Sequence, residues 1–185
     1  TSIIPRTRKS IANSKIFHFC GYSWDTDDQK KTIKEVIALA KANHCQISFD
    51  AADPFVIEHN REAFLDVIRS DADIVFANRE EAAMLFGKEP QDAALEIARS
   101  GAIAVIKLDG DGALVAQGES MIKIDPIKTA VRDTTAAGDM FAAGALFKLQ
   151  NKASAQDAAT FGCKVAAKII TQFGARPNDD FKSSI

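Results

Sequence analysis

The amino-acid sequence predicts an α/β fold with a mostly parallel sheet. Short apolar stretches typical of buried strands alternate along the chain with longer stretches whose apolar residues recur at helical spacing. Of the 185 residues, 46% are hydrophobic and 26% are charged, which is an ordinary composition for a globular protein. Because this length suffices for one core, and because no internal repeat or low-complexity linker is visible, residues 1–185 are predicted to form a single α/β domain.

The first half of the chain is predicted to contain three strand–helix pairs. The opening residues 1–14 are polar and basic, so we expect a loop or a frayed end there. Short apolar runs predict strands at 15–20, 45–50 and 74–77. Apolar residues spaced three and four apart predict helices at 27–43, 58–69 and 79–86. Asp50 and Asp53 follow the second strand, where contact with a ligand and capping of a helix are both open explanations.

The second half continues the alternation and adds a hairpin. A helix is predicted at 92–100 and a strand at 103–108, followed by two short apolar runs around Gln117–Glu119 that are typical of a β-hairpin. Two longer helices come last. The second of them begins at Ser154, and Gly174 and Pro177 are predicted to end it, since glycine suits the residue after a helix and proline cannot continue one.

The stretch from Asp133 to Asp139 has the pattern of a helix start at which an anion can bind. Thr134 or Thr135 is predicted to cap the helix, and the small residues after it form the first turn. A helix start carries unpaired N–H groups and the positive end of the dipole, and small side chains let an anion approach them. The next residues are apolar on every face, which predicts a buried helix. A plainer explanation is that Asp139 complements the dipole and Gly138 allows close packing.

This stretch resembles the C-terminal signature of the ribokinase (PfkB) family of sugar and adenosine-like nucleoside kinases. The resemblance implies that Asp139 is the catalytic base and that Ala136, Ala137 and Gly138 form the anion hole for the transferred phosphate. It also implies a three-layer ribokinase-like fold in which this chain lacks the N-terminal strands and the lid. The family usually has glycine at the position of Ala136, and only glycine adopts a positive φ at little cost.

A second motif, Asn78-x-x-Glu81, precedes the Asp133 stretch in the order typical of the family. From the residues alone, Asn78 is a helix cap and Glu81 is its capping-box partner. The resemblance implies in addition that Glu81 holds Mg²⁺ through water and that Asn78 lies near the triphosphate. The two interpretations are compatible.

The remaining site predictions also come from the resemblance. Lys107, Asp109 and Gly112 match the nucleotide loop, although the family usually has glycine where Asp109 stands. Gly162 and Ala166 lie on the helix that flanks the adenine of ATP in the family. The resemblance further implies a monovalent cation site for K⁺, made by Asp133, Thr135, Gly174 and Asn178.

Charge and cysteine content narrow the classes of function. The formal net charge of −2 gives no electrostatic support for binding nucleic acid or an anionic membrane, and no apolar run is long enough to span a bilayer. The three cysteines are far apart and odd in number, which indicates free thiols in a reducing compartment. We therefore expect a cytoplasmic protein.

The resemblance to the ribokinase family implies an ATP-dependent kinase that phosphorylates a hydroxyl group of a sugar or nucleoside, with ATP, Mg²⁺ and K⁺ as cofactors. The alternative is a non-catalytic nucleotide-binding or scaffold fragment of such a kinase. The family's substrate-gripping N-terminal portion has no counterpart in this sequence, so the isolated chain is expected to be inactive. Its exposed sheet edge is expected to cause self-association, for example as a homodimer.

Overall fold

The structure is a computed structural model that describes residues 5–178 and residue 181. Within that part of the chain there are seven α-helices: Pro5–Ala12 (α1), Asp27–Ala42 (α2), Pro54–Ser70 (α3), Arg79–Phe86 (α4), Pro90–Arg99 (α5), Ala137–Leu149 (α6) and Ala155–Ile169 (α7). The same residues contain six strands: Ile16–Cys20 (β1), Gln46–Asp50 (β2), Ile74–Asn78 (β3), Ile103–Lys107 (β4), Ala113–Gln117 (β5) and Ser120–Ile124 (β6).

The strands form one six-stranded sheet in the sequential order β1-β2-β3-β4-β5-β6. β1 pairs with β2 in parallel, with Cys20 opposite Asp50, and β2 pairs with β3 in parallel, with Asp50 opposite Phe76. The neighbours β5 and β6 are joined by a two-residue turn, which is the predicted hairpin. The α/β class and the mostly parallel sheet predicted from the alternating pattern are therefore confirmed.

The chain divides into two compact units. The first comprises the described residues up to Ile106 together with Ala116–Met121, and the second comprises Lys107–Val115 and the described residues from Ile122 onward. The single domain predicted for residues 1–185 stays a prediction.

The core of the first unit is rich in aromatic rings. Phe49 lies 5.2 Å from Phe19 and 5.0 Å from Phe64 between ring centroids, and Trp24 lies 6.0 Å from Phe19. Such stacked, tilted and edge-on contacts add to the free energy gained by burying the rings. Gly21, directly after β1, cannot carry a side chain because a Cβ atom there would lie 2.4 Å from the Ala51 carbonyl oxygen. The glycine thus lets the end of β1 approach the loop that follows β2 closely.

Helices α6 and α7 form the centre of the second unit and approach each other closely at two glycines. A Cβ atom on Gly144 would lie 2.8 Å from Val165 Cγ2, and one on Gly162 would lie 2.8 Å from the Phe141 carbonyl oxygen. The small residues thus let the two helix backbones come together. Val165 and Ile169 extend this contact into a buried cluster with Phe181.

Three helices of the first unit, α1, α3 and α5, differ from the prediction. Residues 5–12 form α1 instead of a loop or frayed end, and Ile11 is buried although most of the helix is polar and exposed. α3 begins at Pro54 and not at residue 58, because Asp53 accepts a hydrogen bond from the Phe55 N–H and Pro54 fits the first helical position. α5 begins at Pro90 for the same conformational reason, two residues earlier than predicted.

Two predictions about the long C-terminal helices are wrong. α7 ends at Ile169, so Gly174 does not lie directly after the helix but in the turns that follow it, where its φ is +81°. α6 is not buried on every face: Phe141 and Ala142 are buried, whereas Ala143 and Phe147 are exposed, Phe147 by 53%. A fully apolar sequence therefore did not identify which face of α6 is covered within this chain.

Candidate active site

The start of α6 lacks the side-chain cap that the sequence predicted. The N-cap residue is Ala136 and not Thr134 or Thr135, and no side chain accepts a hydrogen bond from the first helical N–H groups. Ala136 has φ +64° and ψ +12°, the left-handed conformation that alanine adopts only at a free-energy cost. A glycine would adopt this conformation without strain, which explains physically why the family usually has glycine at this position.

Thr135 is held by Asp133 and is therefore not available to cap α6. Asp133 Oδ1 accepts hydrogen bonds from the Thr135 hydroxyl at 2.6 Å and from the Thr135 N–H at 2.9 Å. Its other oxygen, Oδ2, accepts from the Gly174 N–H at 2.8 Å. The hydrogen bond from the Thr135 hydroxyl, followed by those from the Gly174 and Thr135 N–H groups, lowers the pKa of Asp133 to about 2. The carboxylate is thus charged at neutral pH and fixes the turn that leads into α6.

Asp133 also connects the start of α6 with the segment after α7. Besides the bond to Gly174, the N–H groups of Arg132 and Asp133 both donate to the Ile170 carbonyl, at 2.8 and 3.3 Å. Three residues predicted for the monovalent cation site, Asp133, Thr135 and Gly174, are therefore in direct contact. The fourth, Asn178, donates its N–H to Gln172 Oε1 at 3.3 Å in the same segment. Cation binding itself stays a prediction.

The first turn of α6 contains the predicted catalytic group. Asp139 is exposed in that turn, one residue after Gly138. Lys107, the last residue of β4, brings its ammonium nitrogen to 3.4 Å from the point where a Cβ atom of Gly138 would be. The structure thus places two residues from separate sequence motifs, Lys107 and Gly138, side by side within the second unit.

The loop after β4 has two residues in left-handed or related conformations. Asp109 has φ +53°, and it is again a residue that stands where the family usually has glycine. Gly112 has φ +91°, and a Cβ atom there would lie 2.0 Å from the Ile124 carbonyl oxygen. Gly112 is therefore required by the backbone of the neighbouring strand, whatever its contact with a nucleotide.

Helix α7 contains the two residues predicted to flank adenine. Gly162 is buried against Phe141 of α6, so close packing of the two helices accounts for the glycine. Ala166 is half-buried on the same helix. Contact of either residue with adenine stays a prediction.

In the first unit, α4 begins with a complete capping box. Asn78 Oδ1 accepts from the Glu81 N–H at 2.8 Å, and Glu81 Oε2 accepts from the Asn78 N–H at 2.8 Å. Asn78 Nδ2 also donates to Glu81 Oε1 at 2.6 Å, and Glu81 is only 2% exposed. The capping function predicted from the residues alone is therefore confirmed. The Mg²⁺ function of Glu81 and the position of Asn78 near a triphosphate stay predictions.

One polar residue at the carboxyl ends of the strands was not predicted from the sequence. Tyr22, which follows Gly21 after β1, is 57% exposed and donates its hydroxyl to Asp53 Oδ2 at 3.2 Å. Desolvation and this hydrogen bond to the Asp53 carboxylate raise the pKa of Tyr22. Asp53 also caps α3, so the capping explanation for this residue is confirmed. The signal in the sequence was the position of Tyr22 directly after a strand, where ligands of α/β sheets bind.

The described residues 5–178 and 181 contain neither a cluster of metal ligands nor a membrane-spanning helix. No group of three or more His, Cys, Asp or Glu side chains in that part of the chain is arranged to hold a metal ion. No helix there combines the length and the apolar character needed to cross a membrane.

Residues 4–181 match the protein family described as "pfkB family carbohydrate kinase". It is 39% identical over 124 residues to 2-dehydro-3-deoxygluconokinase of Dickeya dadantii, covering 64% of this chain and 40% of that protein. It is 32% identical over 131 residues to an uncharacterized sugar kinase of Archaeoglobus fulgidus, covering 70% and 52%. The chain thus spans about half the length of the curated relatives that it matches.

Solved structures give the same result for the fold. Adenosine kinase from Sinorhizobium meliloti superimposes with a TM-score of 0.89 at 33% identity, covering 95% of this chain and 55% of that one. A double mutant of fructokinase from Vibrio cholerae, bound to fructose, ADP and a potassium ion, superimposes with a TM-score of 0.77 at 25% identity, covering 88% and 56%. These similarities confirm the ribokinase-like three-layer fold.

Proposed function

Because the chain belongs to the pfkB family of carbohydrate kinases, we propose that it forms the nucleotide-binding portion of an ATP-dependent kinase. This kinase transfers the γ-phosphoryl group of ATP to a hydroxyl group of a small sugar or nucleoside. The observation that carries the proposal is the open start of α6, where no side chain caps the backbone and Asp139 is exposed in the first turn. A carboxylate beside a helix start that no side chain caps provides a base and an anion site together.

In the proposed reaction, Asp139 accepts the proton of the acceptor hydroxyl group. Backbone N–H groups around Ala136, Ala137 and Gly138 stabilise the charge on the transferred phosphoryl group. The loop containing Lys107, Asp109 and Gly112, together with Gly162 and Ala166 on α7, contributes the nucleotide side. The reaction requires little activation of the acceptor, since phosphoryl transfer passes through a loose transition state.

Magnesium and potassium enter the proposal as cofactors. Each Glu81 oxygen accepts a hydrogen bond from Asn78. A water molecule between Glu81 and Mg²⁺ fits this donor set, whereas direct coordination does not fit a side chain that is 2% exposed. Mg²⁺ would supply charge neutralisation on the phosphates. The Asp133–Thr135–Gly174 contacts support a K⁺ site, with Asn178 as the fourth member.

A kinase assay tests the proposal. We expect a chain extended at its N-terminus to the length of the relatives to transfer phosphate from ATP·Mg²⁺ to at least one member of a panel of sugars and nucleosides. We expect the 185-residue chain to bind ATP weakly and to transfer none. Robust turnover by the 185-residue chain as a monomer would contradict the expectation that this chain is inactive. It would mean that the acceptor site lies within these 185 residues.

The alternative is a non-catalytic nucleotide-binding fragment. Ala136 supports it, because an alanine at φ +64° occupies the anion hole where the family usually has glycine. An extended chain that binds ATP in calorimetric titration, but phosphorylates no acceptor in the panel, would favour this alternative.

A further inference from the structure

The Gln172 side chain bridges the two ends of the segment 172–178, which follows α7. Its Nε2 donates a hydrogen bond to the Arg176 carbonyl oxygen at 2.6 Å, and its Oε1 accepts one from the Asn178 N–H at 3.3 Å. Because a backbone carbonyl only accepts and a backbone N–H only donates, these two partners fix the orientation of the amide. One side chain thus closes the segment into a loop.

This loop contacts the turn before α6 through Gly174. The Gly174 N–H donates to Asp133 Oδ2 at 2.8 Å, while the Thr135 hydroxyl and N–H both donate to Asp133 Oδ1. Residues 173–178 are all exposed, so burial contributes little to holding them in place. The hydrogen bonds of Gln172 therefore restrict the conformations that the loop can adopt beside Asp133.

The four residues of the proposed cation site are divided between these two segments. Asp133 and Thr135 precede α6, whereas Gly174 and Asn178 belong to the loop that Gln172 closes. Carboxylate, hydroxyl and carbonyl oxygens are the ligands that hard cations prefer. A pKa of about 2 keeps the Asp133 carboxylate charged at neutral pH. The donor groups of this chain therefore fit a monovalent cation.

We propose that Gln172 is a positioning residue for this cation site. Its amide holds Gly174 and Asn178 in one fixed loop, so the chain does not have to order this loop when K⁺ binds. The inference rests on the proposed function, in which K⁺ is a cofactor. It differs from a purely structural role, because loss of the amide weakens K⁺ binding in addition to any effect on folding.

The test uses thermal melts of the 185-residue chain at increasing KCl concentration, with tetramethylammonium chloride keeping the ionic strength constant. A cation that binds only the folded chain raises the melting temperature, and the dependence on its concentration gives an apparent Kd. Gln172→Met keeps the length of the side chain but lacks the amide. We expect it to raise the apparent Kd for K⁺ about tenfold, an effect typical of residues that orient metal ligands.

Three further variants control the measurement. Gln156→Met is the matched control, since Gln156 is exposed near the start of α7, and its apparent Kd should stay within about twofold of the parent chain. Asp133→Asn should abolish the rise with KCl, which locates the ion. Should Gln172→Met not fold, Gln172→Asn replaces it. This variant keeps the amide on a shorter side chain, and we expect it to raise the apparent Kd about threefold, as for one lost hydrogen bond.

A Gln172→Met variant that melts lower by the same amount at every KCl concentration, with an unchanged apparent Kd, would overturn the proposal. A parent chain that melts at the same temperature in both salts would overturn it too. An extended chain that is active and requires K⁺, but whose Gln172→Met variant requires no more of it, would refute only this inference. An inactive extended chain whose Gln172→Met variant still binds K⁺ more weakly would refute only the proposed function.

Discussion

Helices α4 and α6 begin in opposite ways. At α4, Asn78 and Glu81 satisfy each other's backbone and side-chain groups, and Glu81 is buried. At α6, the cap is an alanine in the left-handed conformation, no side chain accepts from the first N–H groups, and Asp139 is exposed. The start of α4 is complete without a ligand, whereas the start of α6 is left open to one.

The family resemblance implies a ligand-binding function for both the Asn78–Glu81 motif and the Asp133–Asp139 stretch. The two helix starts show that the structural evidence for such a function differs between them. A ligand at α4 has to work around an existing capping box, so the structural function of Asn78 and Glu81 comes first. An anion at α6 would itself serve as the missing cap. Strained backbone at φ +64° is tolerated there, and such strain is typical of functional sites. Five predictions separate the two regions, beginning with the largest effect.

Asp139→Asn in the extended chain is expected to lower kcat by roughly 10²–10⁴ while leaving the affinity for ATP little changed, because a general base acts only on the chemical step. Steady-state kinetics and calorimetric titration with ATP measure the two quantities. Asp157→Asn is the matched control, since Asp157 lies in the first turn of α7 but is bonded to the Ser154 hydroxyl. Near-normal turnover of the Asp139 variant would remove this residue from the role of base.

Glu81→Ala is expected to lower the free energy of unfolding by about 2 kcal/mol, because it leaves the half-buried Asn78 N–H and amide without the acceptors that Glu81 provides. Gln29→Ala is the control. Gln29 completes the capping box of α2 with Thr26 but is exposed, so its loss should cost only about 0.5 kcal/mol. Denaturant unfolding of the 185-residue chain compares them.

A second variant of Glu81 tests whether this residue also contributes to Mg²⁺ binding. Glu81→Gln in the extended chain is expected to weaken Mg²⁺-dependent steps more than it weakens folding. A lower melting temperature with an unchanged dependence of the rate on Mg²⁺ would show that Glu81 only caps the helix.

Much of the fold was predictable because alternating apolar periodicity dictates it. β1 to β4 and the order of strands and helices followed from short apolar runs and helical spacing. The capping box at Asn78 was predictable because all of its partners lie within four residues. Local patterns of this kind need no knowledge of the tertiary structure.

The start of α6 was less predictable because its geometry depends on contacts distant in sequence. Thr135 looked like a cap, but Asp133 holds it while bonding Gly174, 41 residues away. The contact between Lys107 and Gly138 also joins separate motifs. Likewise, α1 was missed because one buried side chain, Ile11, accompanies an otherwise polar helix. Only tertiary packing decides such cases.

Ala136→Gly is expected to raise the free energy of unfolding by about 0.5–1 kcal/mol. Relief of the left-handed strain, about 1–2 kcal/mol, exceeds the entropy that glycine adds to the unfolded chain, about 0.4–1 kcal/mol. The neighbouring change Ala137→Gly should have the opposite sign, a loss of roughly 0.5–1 kcal/mol, because residue 137 is helical. Thermal and denaturant unfolding measure both. Equal destabilisation by both variants would show that Ala136 bears no strain.

The smallest expected effect is on the pH dependence of stability in acid. The pKa of Asp133 is lowered from its ordinary value of 3.8 to about 2, first by the Thr135 hydroxyl and next by the Gly174 N–H. A lowered pKa in the folded state contributes stability that is complete above the unfolded value and is lost as the pH falls through the folded value. The stability lost in Asp133→Asn should therefore be largest above about pH 4 and should vanish near pH 2. Thr135→Val removes the strongest donor and should move this loss of stability to higher pH. Unfolding curves between pH 2 and 6 measure it, and a difference that does not change with pH would show that charge on Asp133 does not hold the turn before α6.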